Sequence, residues 1–267
     1  MKGIIGAISG DIIGSSYEFN PVKTKHFELY PRSSKFTDDT VLTLAVAKWL
    51  CTDEDTNEES LVKIVKEICV KYPDSGYGRR FEQWLSTSNT QPYNSWGNGS
   101  AMRVSPVGWA KDTLSQTEEL AEISAKITHN HIEGIKGAKA TAGAVYLART
   151  GSDKDLIKKY VEDNYGYDLE RKLVDIRPEY KFNESCQETV PEAVICFLES
   201  NSYEDTIRNA ISLGGDADTL AAIAGAIAAA YYEVPDQITD MALSKLDENL
   251  KNIYNEFVGK YEEKKYE

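Results

Sequence analysis

From Leu220 to Tyr232 the chain reads LAAIAGAIAAAYY, thirteen successive residues that are apolar or glycine. Extended back to Ala217, the segment carries alanine at 217, 221, 222, 224, 226, 228, 229 and 230. Alanine is the strongest helix former, and a helix clad mainly in methyl groups lets neighbours approach closely on several sides. The run falls well short of the roughly 20 apolar residues that span a bilayer. It is therefore predicted to be a central, buried helix over 217–231, around which the rest of the chain must be arranged.

Apolar residues at helical spacing predict further helices at 40–50, 58–70, 116–127, 132–149 and 203–213. Ser115 with Glu118 and Ser202 with Asp205 read as capping boxes, and Pro191 and Pro235 as first-turn prolines. The Val, Ile and Thr alternation that would mark strands is nearly absent, so the fold class is all-α. The stretch 163–187 has no clear period. No internal repeat or low-complexity linker interrupts the 267 residues, of which 41% are hydrophobic. One domain over 1–267 is expected, with a frayed tail from about 260.

Charge narrows the partners. Thirty basic against 43 acidic side chains give a net charge of −13, which opposes unguided binding to nucleic acid or anionic lipid and favours a cation or a cationic substrate. The N-terminal run MKGIIGAISGDIIGSS is broken by Asp11 and lacks a cleavage region, so it does not read as a signal peptide. Four cysteines without C-x-x-C spacing do not make a disulfide scaffold, and three histidines without His-x-x-x-His spacing do not make a zinc site. A cytoplasmic monomer without a membrane span is expected.

Two acidic clusters stand at helix starts: Thr37-Asp38-Asp39-Thr40 before VLTLAVAKWL, and Asp216-Ala217-Asp218-Thr219 at the head of the alanine-rich helix. Either alone is explained by capping and the helix dipole. Together they pose a geometric question, since Asp39 and Asp216 lie 177 positions apart. Brought to one place, the four aspartates would repel one another by several kcal/mol unless protonated or matched by cations. Oxygen-only ligands select hard ions such as Mg²⁺ or Ca²⁺, so a paired metal site is the natural resolution. Near the N-terminus, Gly6, Gly10 and Gly14 mark a helix face packed closely on another helix, which leaves Asp11 and Glu18 unexplained.

The stretch Ser95-Trp96-Gly97-Asn98-Gly99-Ser100-Ala101-Met102-Arg103 is a glycine-rich turn with an aromatic in it, able to present amides to an anion and a ring to a purine. It is neither the phosphate loop of nucleotide kinases nor the nucleophile elbow of serine hydrolases.

Taken in order, GAISGDIIGSSYEF, FTDDT, SGYGRRF, SWGNGSAMR, ITHNH, SCQETVPEAVICFL and GGDADTLAAIAGAIAAAYY resemble the ADP-ribosylglycohydrolase family over residues 3 to about 232. The resemblance implies a compact, orthogonal all-α fold with two Mg²⁺, or Mn²⁺, at the base of a cleft that accepts ADP-ribose. It implies Thr37, Asp38, Asp39, Asp216, Asp218 and Thr219 as metal ligands, and Glu18, Asp38 and Asp39 as the candidates for acid–base work. Ser95, Trp96, Gly97, Asn98 and Gly99, with Met102, match the loop for diphosphate and adenosine. Gly76, Tyr77 and Gly78 match a second phosphate-contacting loop, and His129 a ribose- or phosphate-side contact. Ala217 departs from relatives with Thr or Ser between the aspartates, and Arg79 and Arg80 from relatives with smaller residues.

The implied reaction is hydrolysis of the bond between ADP-ribose and a protein side chain, arginine or an O-linked residue such as serine, or a small adduct. Net charge favours arginine, whereas the last two motifs resemble the O-linked branch. A catalytically silent ADP-ribose-binding protein and a metal-dependent nucleotide phosphohydrolase are the alternatives, and product analysis separates all three.

Overall fold

The structure, a computed structural model, describes residues 3–52 and 56–261. In chain order the helices are α1 (Ile5–Gly14), α2 (Asp38–Cys51), α3 (Glu58–Cys69), α4 (Arg79–Leu85), α5 (Gly99–Met102), α6 (Ser105–Ala110), α7 (Leu114–Lys126) and α8 (Ile132–Arg149). They continue as α9 (Lys154–Tyr165), α10 (Leu173–Glu179), α11 (Cys186–Leu198), α12 (Tyr203–Ser212), α13 (Ala217–Tyr231), α14 (Asp236–Lys245) and α15 (Glu248–Tyr261). The fold is all-α. Among the described residues, strand-like pairing is confined to an isolated antiparallel bridge between Gly97 and Ser185.

The alanine-rich helix is central, as predicted: α13 is buried from Ala217 to Ala230 and packs against α1, α8, α11 and α12. Its tightest neighbour is α1. A Cβ on Gly10 would stand 2.2 Å from the Ala221 carbonyl oxygen, and one on Gly14 would stand 2.4 Å from the Asp218 Cα. Only glycine permits this approach. The face marked by Gly6, Gly10 and Gly14 therefore sets how close α1 comes to the acidic end of α13.

Several local expectations are corrected. The cap of α7 is Thr113, which accepts from the Gln116 amide, rather than Ser115. Glu118 is drawn away from a capping role because it accepts hydrogen bonds from Tyr160 and Tyr165. Ser202 does cap α12 through the Asp205 amide, but the Asp205 carboxylate accepts from Asn201, so the box is half formed. Pro191 lies inside α11 rather than in its first turn, since the helix already starts at Cys186, whose amide is held by the Trp96 carbonyl at 3.1 Å. Pro235 occupies the cap of α14, one place earlier than a first-turn proline. The aperiodic 163–187 stretch contains α10 and the start of α11. Of the tail expected to fray, 262–267 lie outside the described residues, and α15 continues to Tyr261.

Candidate active site

Asp11 ties the middle of α1 to the N-terminus of α2. It sits fully buried in α1, and its carboxylate accepts from the Thr37 amide (3.0 Å), the Thr37 hydroxyl (2.7 Å), the Thr40 amide (3.0 Å) and the Thr40 hydroxyl. These bonds satisfy donors at the start of α2 that would otherwise be orphaned. Thr37 also caps α2 by accepting from the Asp39 amide at 3.3 Å. From α13, the Thr219 hydroxyl donates to Asp39 at 3.2 Å. The three elements therefore converge through side-chain bonds as well as through the glycine face.

Oxygens of Asp11, Asp39 and Asp218 lie within 4.8 Å of one another, as do oxygens of Glu18, Asp216 and Asp218. Asp218 belongs to both trios. Asp38 stands in the first turn of α2, with its Oδ1 3.7 Å from where a Cβ of Gly76 would lie and its amide bonded to the Ser75 carbonyl at 2.8 Å. The sequence-derived ligand set thus meets around Asp39, Asp216 and Asp218, with Glu18 joining them. The Thr37 hydroxyl is engaged by Asp11 and by the Asp39 amide.

Asp11 is the participant that the ligand set leaves out. Its signal was a lone carboxylate amid the apolar run of α1, where no solvent-facing stripe could accommodate it.

Burial raises all six proton affinities. It pushes Asp11 up to about 6 against four opposing hydrogen bonds, and Glu18 up to about 7 with help from Asp216, Asp11 and Glu184. Burial and then Asp11 raise Asp38 and Asp39 well above the usual range. Asp218 is likewise raised by burial and then Asp216, while Asp216 is raised by burial and partly relieved by hydrogen bonds that include one from Asn98. The donor set fits hard cations. It is all oxygen, and Asp39 Oδ1 is buried without a hydrogen-bond partner among the described residues.

This electrostatics has a measurable consequence. In chelator, the folded carboxylates hold protons that the unfolded chain has released, so the stability they contribute is full below about pH 4 and is lost as pH rises from there through about 6 and 7. Thermal melts across that range in EDTA check the sign. Divalent cation at about one hundred times its Kd should return roughly 2.7 kcal/mol. A melting temperature that climbs with pH in EDTA would contradict the account.

The glycine-rich loop lies alongside. Its Asn98 amide donates to the Glu184 carbonyl at 2.7 Å, and its Ser95 amide donates to the Thr128 carbonyl at 3.3 Å. The Asn98 side chain donates to Asp216 at 2.7 Å and to Thr189 at 3.1 Å, which joins the loop directly to the carboxylates. Trp96 is 49% exposed and borders an open cavity of about 470 Å³ with His131, Asn183, Ser185, Gln187 and Glu188. Met102 is buried beneath Gly99. His129 is buried, with its Nδ1 2.7 Å from the Thr128 hydroxyl.

The second glycine loop divides in two. Gly76, at φ +94°, borders Asp38, and Gly78 opens α4 with free space around it. Tyr77 instead turns into the core against Phe81, with ring centroids 5.2 Å apart, and its hydroxyl reaches the Cys69 carbonyl at 3.3 Å.

The family model described as ADP-ribosylglycohydrolase matches residues 1–266. ADP-ribosylhydrolase ARH3 of Mus musculus is 29% identical, over 87% of this chain and 84% of the relative. ADP-ribosylarginine hydrolase Tri1 of Pseudomonas putida is 26% identical, over 91% of this chain and 74% of the relative. A solved structure described as an ADP-ribosylglycohydrolase-related protein complex superposes with a TM-score of 0.74 at 24% identity, covering 96% of this chain and 95% of that one, and bears on the fold alone.

Proposed function

This chain belongs to the ADP-ribosylglycohydrolase family and is a hydrolase acting on ADP-ribosyl linkages, and from that premise we propose a magnesium-dependent cleavage that frees ADP-ribose from a modified side chain. The substrate is an arginine or O-linked conjugate, such as serine, on a protein or small adduct. The observation that carries the reading is the convergence of five carboxylates, from α1, the loop after it and the starts of α2 and α13, in two trios that share Asp218. Asp11, Asp39 and Asp218 would hold one ion, and Glu18, Asp216 and Asp218 a second, with Asp38 and the Thr37 and Thr219 hydroxyls at their border. Mg²⁺ is favoured by the oxygen set, and Mn²⁺ is compatible with it.

Bound there, such ions would supply Lewis acidity to the site and favour ionisation of water. The remaining work falls to the chain. Carboxylates that stay ionised stabilise the positive charge that develops on the ribose as the glycosidic bond breaks. Glu18, Asp38 and Asp39 are the candidates to move a proton to the leaving atom or from water. Asn98, bonded to Asp216, couples the ligand loop to this centre, so binding of the diphosphate and adenosine positions the sugar. The cavity beside Trp96 is suited to the adenine.

The four buried free thiols support a reducing, cytoplasmic setting, and the net charge of −13 disfavours nucleic acid and anionic membranes. We read the protein as a monomer.

Incubation with arginine-linked and serine-linked ADP-ribose, with Mg²⁺ and with EDTA, tests the proposal. Free ADP-ribose only in the Mg²⁺ arm is expected; AMP would indicate phosphate-bond cleavage, and no product would indicate a binding protein. Trp96→Ala is expected to weaken ADP-ribose binding by about 1–3 kcal/mol with a smaller effect on kcat. Unchanged affinity by calorimetry would remove Trp96 from the ligand site.

A further inference from the structure

Beneath the ligand loop lies an arginine that makes no ion pair among the described residues. Arg103, which follows α5, is fully buried. Its Nη2 donates to the Ser124 carbonyl at 2.6 Å and to the Thr128 hydroxyl oxygen at 3.0 Å, with a longer contact to the Ala125 carbonyl at 3.4 Å. Its Nε and Nη1 have no hydrogen-bond partner among the described residues. Burial lowers its pKa to about 10, which leaves the guanidinium charged at neutral pH. A buried charge without a carboxylate is costly, and here it is directed at the end of α7 and at Thr128.

Thr128 Oγ1 is also 2.7 Å from Nδ1 of His129. A hydroxyl has one proton and two lone pairs, and a guanidinium can only donate. Arg103 therefore occupies one of the two lone pairs on Thr128, leaving one lone pair and the hydroxyl proton for Nδ1 and the neighbouring Tyr93 hydroxyl; with Tyr93 donating to that lone pair, the proton points at Nδ1. His129 is neutral at pH 7, because burial and then the nearby Arg103 and Arg80 hold its pKa well below the usual value. A neutral imidazole that accepts at Nδ1 carries its proton on Nε2. Nε2 faces the ligand loop: a Cβ on Gly99 would come 3.2 Å from it and a Cβ on Gly97 3.6 Å. The two glycines put no side chain of their own on that edge of the ring.

We propose that Arg103 and Thr128 are positioning residues that lock His129 as the Nε2–H tautomer, a neutral donor aimed at an oxygen of the ADP-ribose diphosphate or ribose lying on Gly97–Gly99. The inference rests on the reading that this loop holds ADP-ribose. Phosphate oxygens only accept, so the opposite tautomer would set a lone pair against them. The Tyr93 hydroxyl also lies beside Thr128 and offers the Thr128 proton another destination, which makes Tyr93→Phe an informative variant.

Long-range ¹H–¹⁵N correlation NMR of the histidine rings reports the tautomer directly. Nε2–H is expected for His129 in the wild type and in Tyr93→Phe. Thr128→Val is expected to mix the tautomers and raise the Kd for ADP-ribose roughly tenfold, with kcat changed less. Thr128→Ser should restore both. Arg103→Gln is expected to mix the tautomers as well, and if it does not fold, the Thr128 pair still decides. An Nδ1–H ring in the wild type, or an unchanged tautomer in Thr128→Val, overturns the proposal. An unchanged Kd for ADP-ribose in His129→Ala would instead remove the histidine from the ligand site, while the wild-type spectrum still reports whether the lock exists.

Discussion

Asp218→Asn is expected to cut ADP-ribose release by about a thousandfold or more, and to raise the melting temperature of the chelated protein. Asp218 is the one carboxylate common to both trios, so its replacement weakens both candidate cation positions at once. The second effect has the opposite sign because burial and then Asp216 raise the proton affinity of Asp218. Asparagine removes a charge that metal-free protein can accommodate only by binding a proton. Turnover assays with excess Mg²⁺ and melts in EDTA make the pair of measurements. Activity that persists in the variant and resists EDTA would refute the metal centre. A lower melting temperature in EDTA would refute the account of electrostatic strain.

Gly10→Ala is expected to destabilise the protein by about 3 kcal/mol or more, a fall of roughly 6–12 °C in Tm. The added methyl would sit 2.2 Å from the Ala221 carbonyl oxygen, an atom of the α13 backbone that cannot rotate away. Relief requires α1 to withdraw from α13. That movement would separate Asp11 and Glu18 from Asp218, so affinity for divalent cations should fall together with stability. Calorimetric unfolding and Mg²⁺ titration of the same variant check both. A change in stability with intact cation affinity would show that the glycine face serves packing alone.

What the sequence revealed and what it hid divide along physical lines. The spans 217–231 and 132–149 match α13 and α8 at both ends, because small apolar residues leave few alternatives to a close-packed helix. The acidic clusters were legible for a similar reason: paired carboxylates beside an apolar run carry a cost that demands a partner. The half-exposed α10 was not legible, since a helix of seven residues shows less than two full periods of a pattern. The α7 cap was misplaced by two residues because Thr113 and Ser115 are equally good local acceptors, and Tyr160 and Tyr165 decided where Glu118 points. Asp11 was visible as an anomaly. Its partners, Thr37 and Thr40, are chosen by the packing of α1 against the start of α2, which no local rule specifies.

The close pairing of α1 with α13 also imposes an order on synthesis. Ile5, Ile8, Ile12 and Ile13 leave the ribosome among the first residues, yet the helix that α1 packs most closely against ends at Tyr231. At about 5–20 residues per second, the interval between the two is roughly 10–45 s. For that time a strongly apolar N-terminal helix lacks its main docking partner, and a chaperone that shields it would raise the yield of folded protein. Neither carboxylate trio can form until Asp218 has emerged, so nascent fragments ending before Asp216 cannot assemble the candidate cation site.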